Sequence, residues 1–187
     1  MPETKPIPAT KVITDAVRLS FAHVWEPQSI NGGPAKYGAS LIISKADTKT
    51  IAAINKAIDA AIEAGKAKWG GKTLPRTALK LPMRDGDIDR PDDVAYENSY
   101  FVNANSQTVP QIVDKARNPI TDQAMVYSGC YCRVSLNFYA FNTNGNRGVA
   151  CGLGNIQFVR DGEPLGGRTN ARDDFDDDFS GEDDFLA

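Results

Sequence analysis

The chain has 187 residues, 41% hydrophobic and 24% charged, the makeup of one globular domain with a sizeable core plus appendages. It has no run of about 18 apolar residues, and Met1-Pro2-Glu3-Thr4-Lys5-Pro6 lacks the apolar core of a signal peptide; a cytoplasmic protein with no membrane partner is expected. The net charge of −3 conceals a split: residues 173–187 hold eight acids and no base, leaving 21 bases against 16 acids elsewhere, a net of +5.

Residues 1–10 are Pro-rich and polar and read as a flexible arm before a domain over 11–165; a linker and acidic tail follow over 166–187. Lys11 to Val24, rich in β-branched and aromatic residues, predicts one long first strand. Glu26 to Pro34 is a loop, and Tyr37 to Ile43 a second strand. Then the period changes. Ser44-Lys45-Ala46-Asp47 resembles a capping box, and Ile51, Ile54, Ile58, Ala61 and Ile62 follow at helical spacing as far as a stop at Gly65. Their apolar stripe predicts core packing. Lys66 to Asp93 is irregular. Tyr100 to Asn105 reads as a strand with Gln111 to Asp114 as a short partner, and Asn118-Pro119 marks a turn. Cys130 to Asn142 alternates cleanly, with Cys130, Cys132, Val134, Leu136 and Phe138 on one face and Tyr131, Arg133, Ser135, Asn137, Tyr139 and Phe141 on the other. An Asn-Gly hairpin turn lies within Asn142 to Gly148, and two further strands, Val149 to Leu153 and Ile156 to Arg160, are expected to break at Gly154. The class is mainly β with one inserted amphipathic helix.

Motifs for chemistry are weak. Gly71-Lys72-Thr73 echoes the end of a phosphate-binding loop, but Lys66 stands where that pattern needs glycine. Asp85-Gly86-Asp87-Ile88-Asp89 fits no calcium loop. The single histidine, His23, has no triad around it. Cys130, Cys132 and Cys151 make an odd count without a disulfide framework, and Cys-x-Cys alone is a poor metal signal, so they read as small core residues. No enzyme, metal or cofactor is expected.

Aromatic residues interleaved with bases are what a sequence-tolerant single-strand groove needs, because every base has a face to stack and every linkage a phosphate. Tyr131, Arg133, Tyr139 and Phe141 on one strand face, with Trp25, Lys36, Tyr37, Lys68, Trp69, Lys72 and Arg147 in or beside loops, are the candidate single-stranded-DNA contacts. One strand's alternation does not say which side the helix covers. The tail is more specific. Its acids, Asp173, Asp174, Asp176, Asp177, Asp178, Glu182, Asp183 and Asp184, repel one another and predict disorder. Phe175, Phe179 and Phe185 have no place in a plain solubilising tail. Phosphate-like charge beside base-like rings can mimic single-stranded DNA or dock into a basic pocket on a partner.

The segments Lys36-Tyr37-Gly38-Ala39-Ser40-Leu41-Ile42-Ile43, Tyr127-Ser128-Gly129-Cys130-Tyr131 and Gly152-Leu153-Gly154-Asn155-Ile156-Gln157, the last leading to Arg160-Asp161-Gly162-Glu163-Pro164-Leu165-Gly166-Gly167, resemble a family of phage-encoded single-stranded-DNA-binding proteins. More distantly the chain is similar to the replication single-strand binder of podoviruses. The resemblance implies an OB-fold, a five-stranded barrel with one helix inserted between strands. It also implies binding and coating of single strands in phage replication or recombination, within the bacterial cytoplasm. Replication proteins (polymerase, helicase or primase) or recombination proteins would be recruited through the tail, and a homodimer stays open. Tails of this kind often end on the aromatic itself, whereas here Leu186 and Ala187 follow Phe185. Two rival classes are a single-strand annealing protein, which needs an extended oligomerising helix, and a metal-dependent nuclease built on Asp85, Asp87 and Asp89.

Overall fold

The computed structural model describes residues 8–29 and 32–165. Most of the expected arm and the whole of 166–187, including the tail residues from Asp173 to Phe185, lie outside the described residues.

Alternating apolar residues build the barrel. The long strands are β2 (Val17–Gln28), β3 (Lys36–Ser44), β5 (Ser99–Ser106), β7 (Tyr131–Thr143) and β8 (Asn146–Arg160), and each turns one row inward. Leu19 and Val24, Leu41 and Ile43, Val102 and Ala104, Cys132, Val134, Leu136 and Phe138, and Cys151 and Ile156 form one core. β2 pairs with β3, β3 with β5, β5 with β8, β8 with β7, and β7 returns to β2, closing a five-stranded ring of OB-fold type. The β5–β8 seam is the one parallel join of that ring and holds a single pair, Asn105 with Gly152. Short β4 (Met83–Asp85) reinforces it, pairing Met83 with Val102 while Lys80 just before it bridges Gly148.

The expected first strand is split. Lys11–Ile13 forms β1 and pairs with β7, then Thr14 turns inward and its hydroxyl accepts from Val134 N at 3.0 Å, before β2 begins. The expected partner of Tyr100–Asn105 is also reassigned: β6 (Ile112–Val113) runs parallel to β8. The β7–β8 hairpin turns on Asn144 (φ 51°) and Gly145 (φ 83°), the left-handed pair that an Asn-Gly turn supplies. β8 does not break at Gly154. The strand register shifts there instead, and Gly154 passes so close over Ser135 that a side chain would strike its hydroxyl.

Helix α1 (Thr48–Ala64) closes one end of the barrel, burying Ile54, Ala57, Ile58 and Ala61. Its cap is Asp47, whose carboxylate accepts from Thr50 N at 3.2 Å; the expected cap, Ser44, instead accepts from Ala46 N. The α-helix stops at Ala64 with Gly65 as its C-cap, as expected, the Gly65 N–H donating to Ala61 O and Ile62 O. A Cβ there would stand 2.5 Å from Ala140 Cβ, so the glycine lets helix and strand touch, and the chain runs on as a tight turn from Gly65 to Trp69. Reversal comes at Gly70 and Gly71, both with positive φ. All three cysteines are buried and free, as their strand positions predict. Among the described residues no helix is long and apolar enough to cross a membrane.

Candidate nucleic-acid interface

The outward rows of β2, β3 and β5 form a concave face. Ser20 and His23 on β2 stand opposite Ser40 and Gly38 on β3, which in turn face Asn103 and Asn105 on β5. Gly38 keeps the centre of this floor low, since a Cβ there would lie 2.5 Å from Asn105 Oδ1. At one end the face continues into Ile42, Phe101 and Tyr96, an apolar cluster beneath the segment carrying α2 (Gly86–Asp89). Tyr96 is tied down by its hydroxyl to Ser40 Oγ at 3.0 Å and meets Phe101 edge to face. At the other end stand Gln28, Gly33, Pro34 and Lys36. Between the two ends opens a groove of about 540 Å³.

Phe21 and Arg90 dominate its wall. A register shift between Ser20 and His23 swings Phe21 outward with φ 46°, in the left-handed region that costs a side chain about 1–2 kcal/mol. The ring is 54% exposed, against the usual burial of phenylalanine in a strand. The Arg90 guanidinium lies 5.0 Å from the Phe21 ring centroid, 5.0 Å from Tyr96 and 5.6 Å from Phe101. Three rings thus hold one cation at the groove edge with its charge available. The described lining contains Lys36 and Arg90 and no Asp or Glu, while on its other side Arg90 adjoins Asp89, Asp92 and Asp93. The exposed amides of Asn103 and Asn105 add donors and acceptors to the floor.

The residues expected from sequence to meet DNA do not form one site. Lys36 lines the groove. Tyr131, Arg133, Tyr139 and Phe141 do share the outer face of β7, with Tyr139 46% exposed. That row lies on β7, beside β2, and lines no part of the groove, and its leading members are engaged. Tyr131 lies under Arg160 at 4.2 Å and near Arg18 at 5.8 Å, and Arg133 Nε donates to Thr14 O at 3.2 Å. Two residues expected beside loops are structural. Trp69 is 5% exposed and its indole N–H donates to Phe141 O at 3.2 Å; Trp25 packs partly on the core and donates to Val126 O at 2.9 Å. Lys68 Nζ donates to Ala140 O, and Tyr37 is half-buried at the start of β3. Lys72 and Arg147 are exposed, away from the groove lining. The groove also brings together Phe21, Arg90, Asn103 and Asn105, which the sequence reading did not single out. The alternation in Phe101-Val102-Asn103-Ala104-Asn105 signalled the two amides; nothing local signalled Phe21 or Arg90.

The acidic cluster has a different role from metal binding. Lys45 Nζ lies 2.9 Å from Asp85 Oδ1 and 2.8 Å from Asp87 Oδ2, so an ammonium occupies the space between the carboxylates that a cation would need. Its hydrogen bond holds the Asp87 carboxyl below the usual carboxylate range, helped by Asn98 N. Among the described residues no group of three His, Cys, Asp or Glu side chains is placed to hold a metal.

A family model described as "Enterobacter phage Enc34, ssDNA-binding protein" matches residues 10–186. The chain belongs to this family. A relative in Acyrthosiphon pisum secondary endosymbiont phage 1, "Putative protein p50", is 32% identical over 177 residues, covering 89% of this chain and 93% of that one. Among solved structures, the single-stranded DNA-binding protein from bacteriophage Enc34 in complex with ssDNA superposes with a TM-score of 0.70 at 23% identity, over 87% of this chain and 97% of that one. Bacteriophage T7 gp2.5, a single-stranded DNA-binding protein, gives 0.59 at 14% identity, over 90% and 96%. Both likenesses carry the barrel fold. The family named by the sequence resemblance is thus the family found.

Proposed function

We propose that this protein binds and coats single-stranded DNA during phage replication or recombination, without catalysing a reaction, through the groove on β2, β3 and β5. The observation that carries this reading is the groove itself: an exposed ring at Phe21, a cation caged at Arg90 and an acid-free polar floor, on the face that OB-folds use for oligonucleotides, in a chain of an ssDNA-binding family. Bases stack on Phe21, phosphates meet Arg90 and Lys36, and the Asn103 and Asn105 amides hydrogen-bond base edges. The acidic tail competes with DNA for the same groove and, once displaced, recruits replication or recombination proteins through Phe175, Phe179 and Phe185. The annealing reading lacks support, because the apolar face of α1 is spent on the barrel and offers none for a ring of copies. The nuclease reading loses two of its three ligands, Asp85 and Asp87, to Lys45.

The test is a titration of fluorescent oligo-dT with the full chain and with a chain stopped after Arg172. The core packing described lies at or before Leu165, so the shortened chain keeps it. The shortened form is expected to bind more tightly, and both forms to prefer single over double strands. Affinity should fall by roughly 0.7 log units per log unit of salt for each phosphate neutralised. Equal affinity of the two forms removes the tail from the groove, and no binding by either overturns the function.

A second check incubates the full chain with labelled DNA and magnesium. The DNA is expected to stay intact; cleavage abolished by Asp87→Ala would restore the nuclease.

A further inference from the structure

Two segments that carry the sequence resemblance, Tyr127 to Tyr131 and Asp161 to Leu165, pack on each other. After β8 the chain crosses back over the turn that precedes β7. Tyr127 OH donates toward Gly162 O at 2.9 Å and Asp161 Oδ1 at 3.1 Å, and accepts from Gly162 N at 3.2 Å. Arg18 clamps both layers, giving Nε to Gly129 O at 3.1 Å and Nη2 to Glu163 O at 2.6 Å. Gly129 (φ 118°) and Gly162 lie backbone to backbone, so closely that a Cβ on either would strike the other segment. Leu165 N closes the crossing on Ser128 O at 2.8 Å, and the Leu165 side chain packs on Ile42, Tyr96 and Phe101.

The place where this crossing ends is informative. The Ser128 hydroxyl accepts from Ala22 N at 2.9 Å, serving the backbone of the very bulge that turns Phe21 outward. Tyr96 and Phe101, on which Leu165 rests, are two of the three rings that hold Arg90. Leu165 is therefore fixed on the apolar cluster whose rings hold Arg90, at one end of the groove. The 22 residues 166–187 follow that point in sequence and hold eight acids and three phenylalanines, whereas the described groove lining holds no acid. Phe175 is ten residues on, a reach of up to about 35 Å, whereas three strands abreast span about 10 Å.

We infer that residues 161–165 are a strap that fixes the acidic tail's point of departure at the Phe21–Arg90 end of the groove. The strap thereby sets how strongly the tail competes with DNA. This rests on the reading that the tail competes at all. Arg18 and Tyr127 are then positioning residues: they touch the strap rather than the DNA. A short tether from a fixed origin keeps the tail at high effective concentration over the groove, and lengthening it dilutes the tail by roughly the −3/2 power of its length.

The test compares Tyr127→Phe/Leu165→Ser with the unaltered protein, each as the full chain and stopped after Arg172, by oligo-dT titration with a melting curve for each. Phenylalanine keeps the packing of Tyr127 and removes only the hydroxyl. Freeing the strap lengthens the tether to Phe175 from ten residues to fifteen, so the full-length variant should bind DNA about twofold more tightly. The two shortened chains should bind alike. A second full-length variant, with twelve Gly/Ser residues inserted after Leu165, leaves every strap contact in place and should tighten binding about threefold. If shortening tightens binding but neither variant does, the strap idea fails and tail competition stands. Should shortening itself change nothing, tail competition fails and takes the strap with it. A difference between the two shortened chains would show the strap acting on the groove directly, which also overturns the inference.

Discussion

Phe21→Ala is expected to weaken oligo-dT binding by about tenfold, and Phe21→Ala/Arg90→Gln by more, because stacking a base on an aromatic side chain is worth about 1–3 kcal/mol. Tyr131→Ala/Arg133→Ala should change it by less than about threefold, since Tyr131 already lies against two arginines and Arg133 is spent on Thr14 O. Phe21→Gly separates function from stability. At φ 46° a glycine relieves backbone strain of about 1 kcal/mol, and the exposed ring adds little to the core. This variant should melt no lower than the unaltered protein while losing as much affinity as the alanine variant. Strain retained at an exposed aromatic is the signature of a residue kept for its ligand. Titration and calorimetry on the same samples check both halves. A large loss at Tyr131 and Arg133 with none at Phe21 would move the DNA to the β7 face.

How much of this was legible depends on how local the cause is. The β7 alternation is a period-two pattern over a dozen residues, and the structure follows it: Cys132, Val134, Leu136 and Phe138 point inward while Arg133, Asn137 and Tyr139 point out. Helix α1 and the Asn144-Gly145 turn are equally local. The groove is not. In Val17, Leu19, Phe21 the sequence keeps step with an inward row, and only the bulge, whose Ala22 N is answered by Ser128 more than a hundred residues away, turns Phe21 out. Arg90 sits in a stretch without periodicity and lies against Tyr96 and Phe101, the one placed by its hydroxyl bond to Ser40 and the other by β3–β5 pairing. The aromatic-plus-base pattern named residues that the fold spreads over separate places, with Lys36 in the groove lining and Tyr131, Arg133, Tyr139 and Phe141 together on β7. Gly65 shows both sides at one residue: its role as the cap of α1 was legible, but its close approach to Ala140, a neighbour only in space, was not.

Trp69→Ala should be the most damaging single change to stability, at about 3–5 kcal/mol for truncating a buried tryptophan. The indole fills the space between the end of α1 and β7, with its ring against Gly65 and its N–H on Phe141 O. Removing it leaves a cavity at the base of the barrel and a carbonyl without its donor. For a chain of this size the melting temperature should fall by about 10 °C or more. Trp69→Phe keeps much of the volume and loses the hydrogen bond, so its cost should be smaller, about 1–2 kcal/mol. Neither change touches the groove. Measured well below its melting point, the alanine variant should bind oligo-dT within about twofold of the unaltered protein, since it forfeits none of the stacking worth about 1–3 kcal/mol per base. A tenfold loss of affinity with an unchanged melting temperature would return Trp69 to the DNA. The combination expected here, large in stability and small in binding, identifies it as the floor on which α1 and β7 meet.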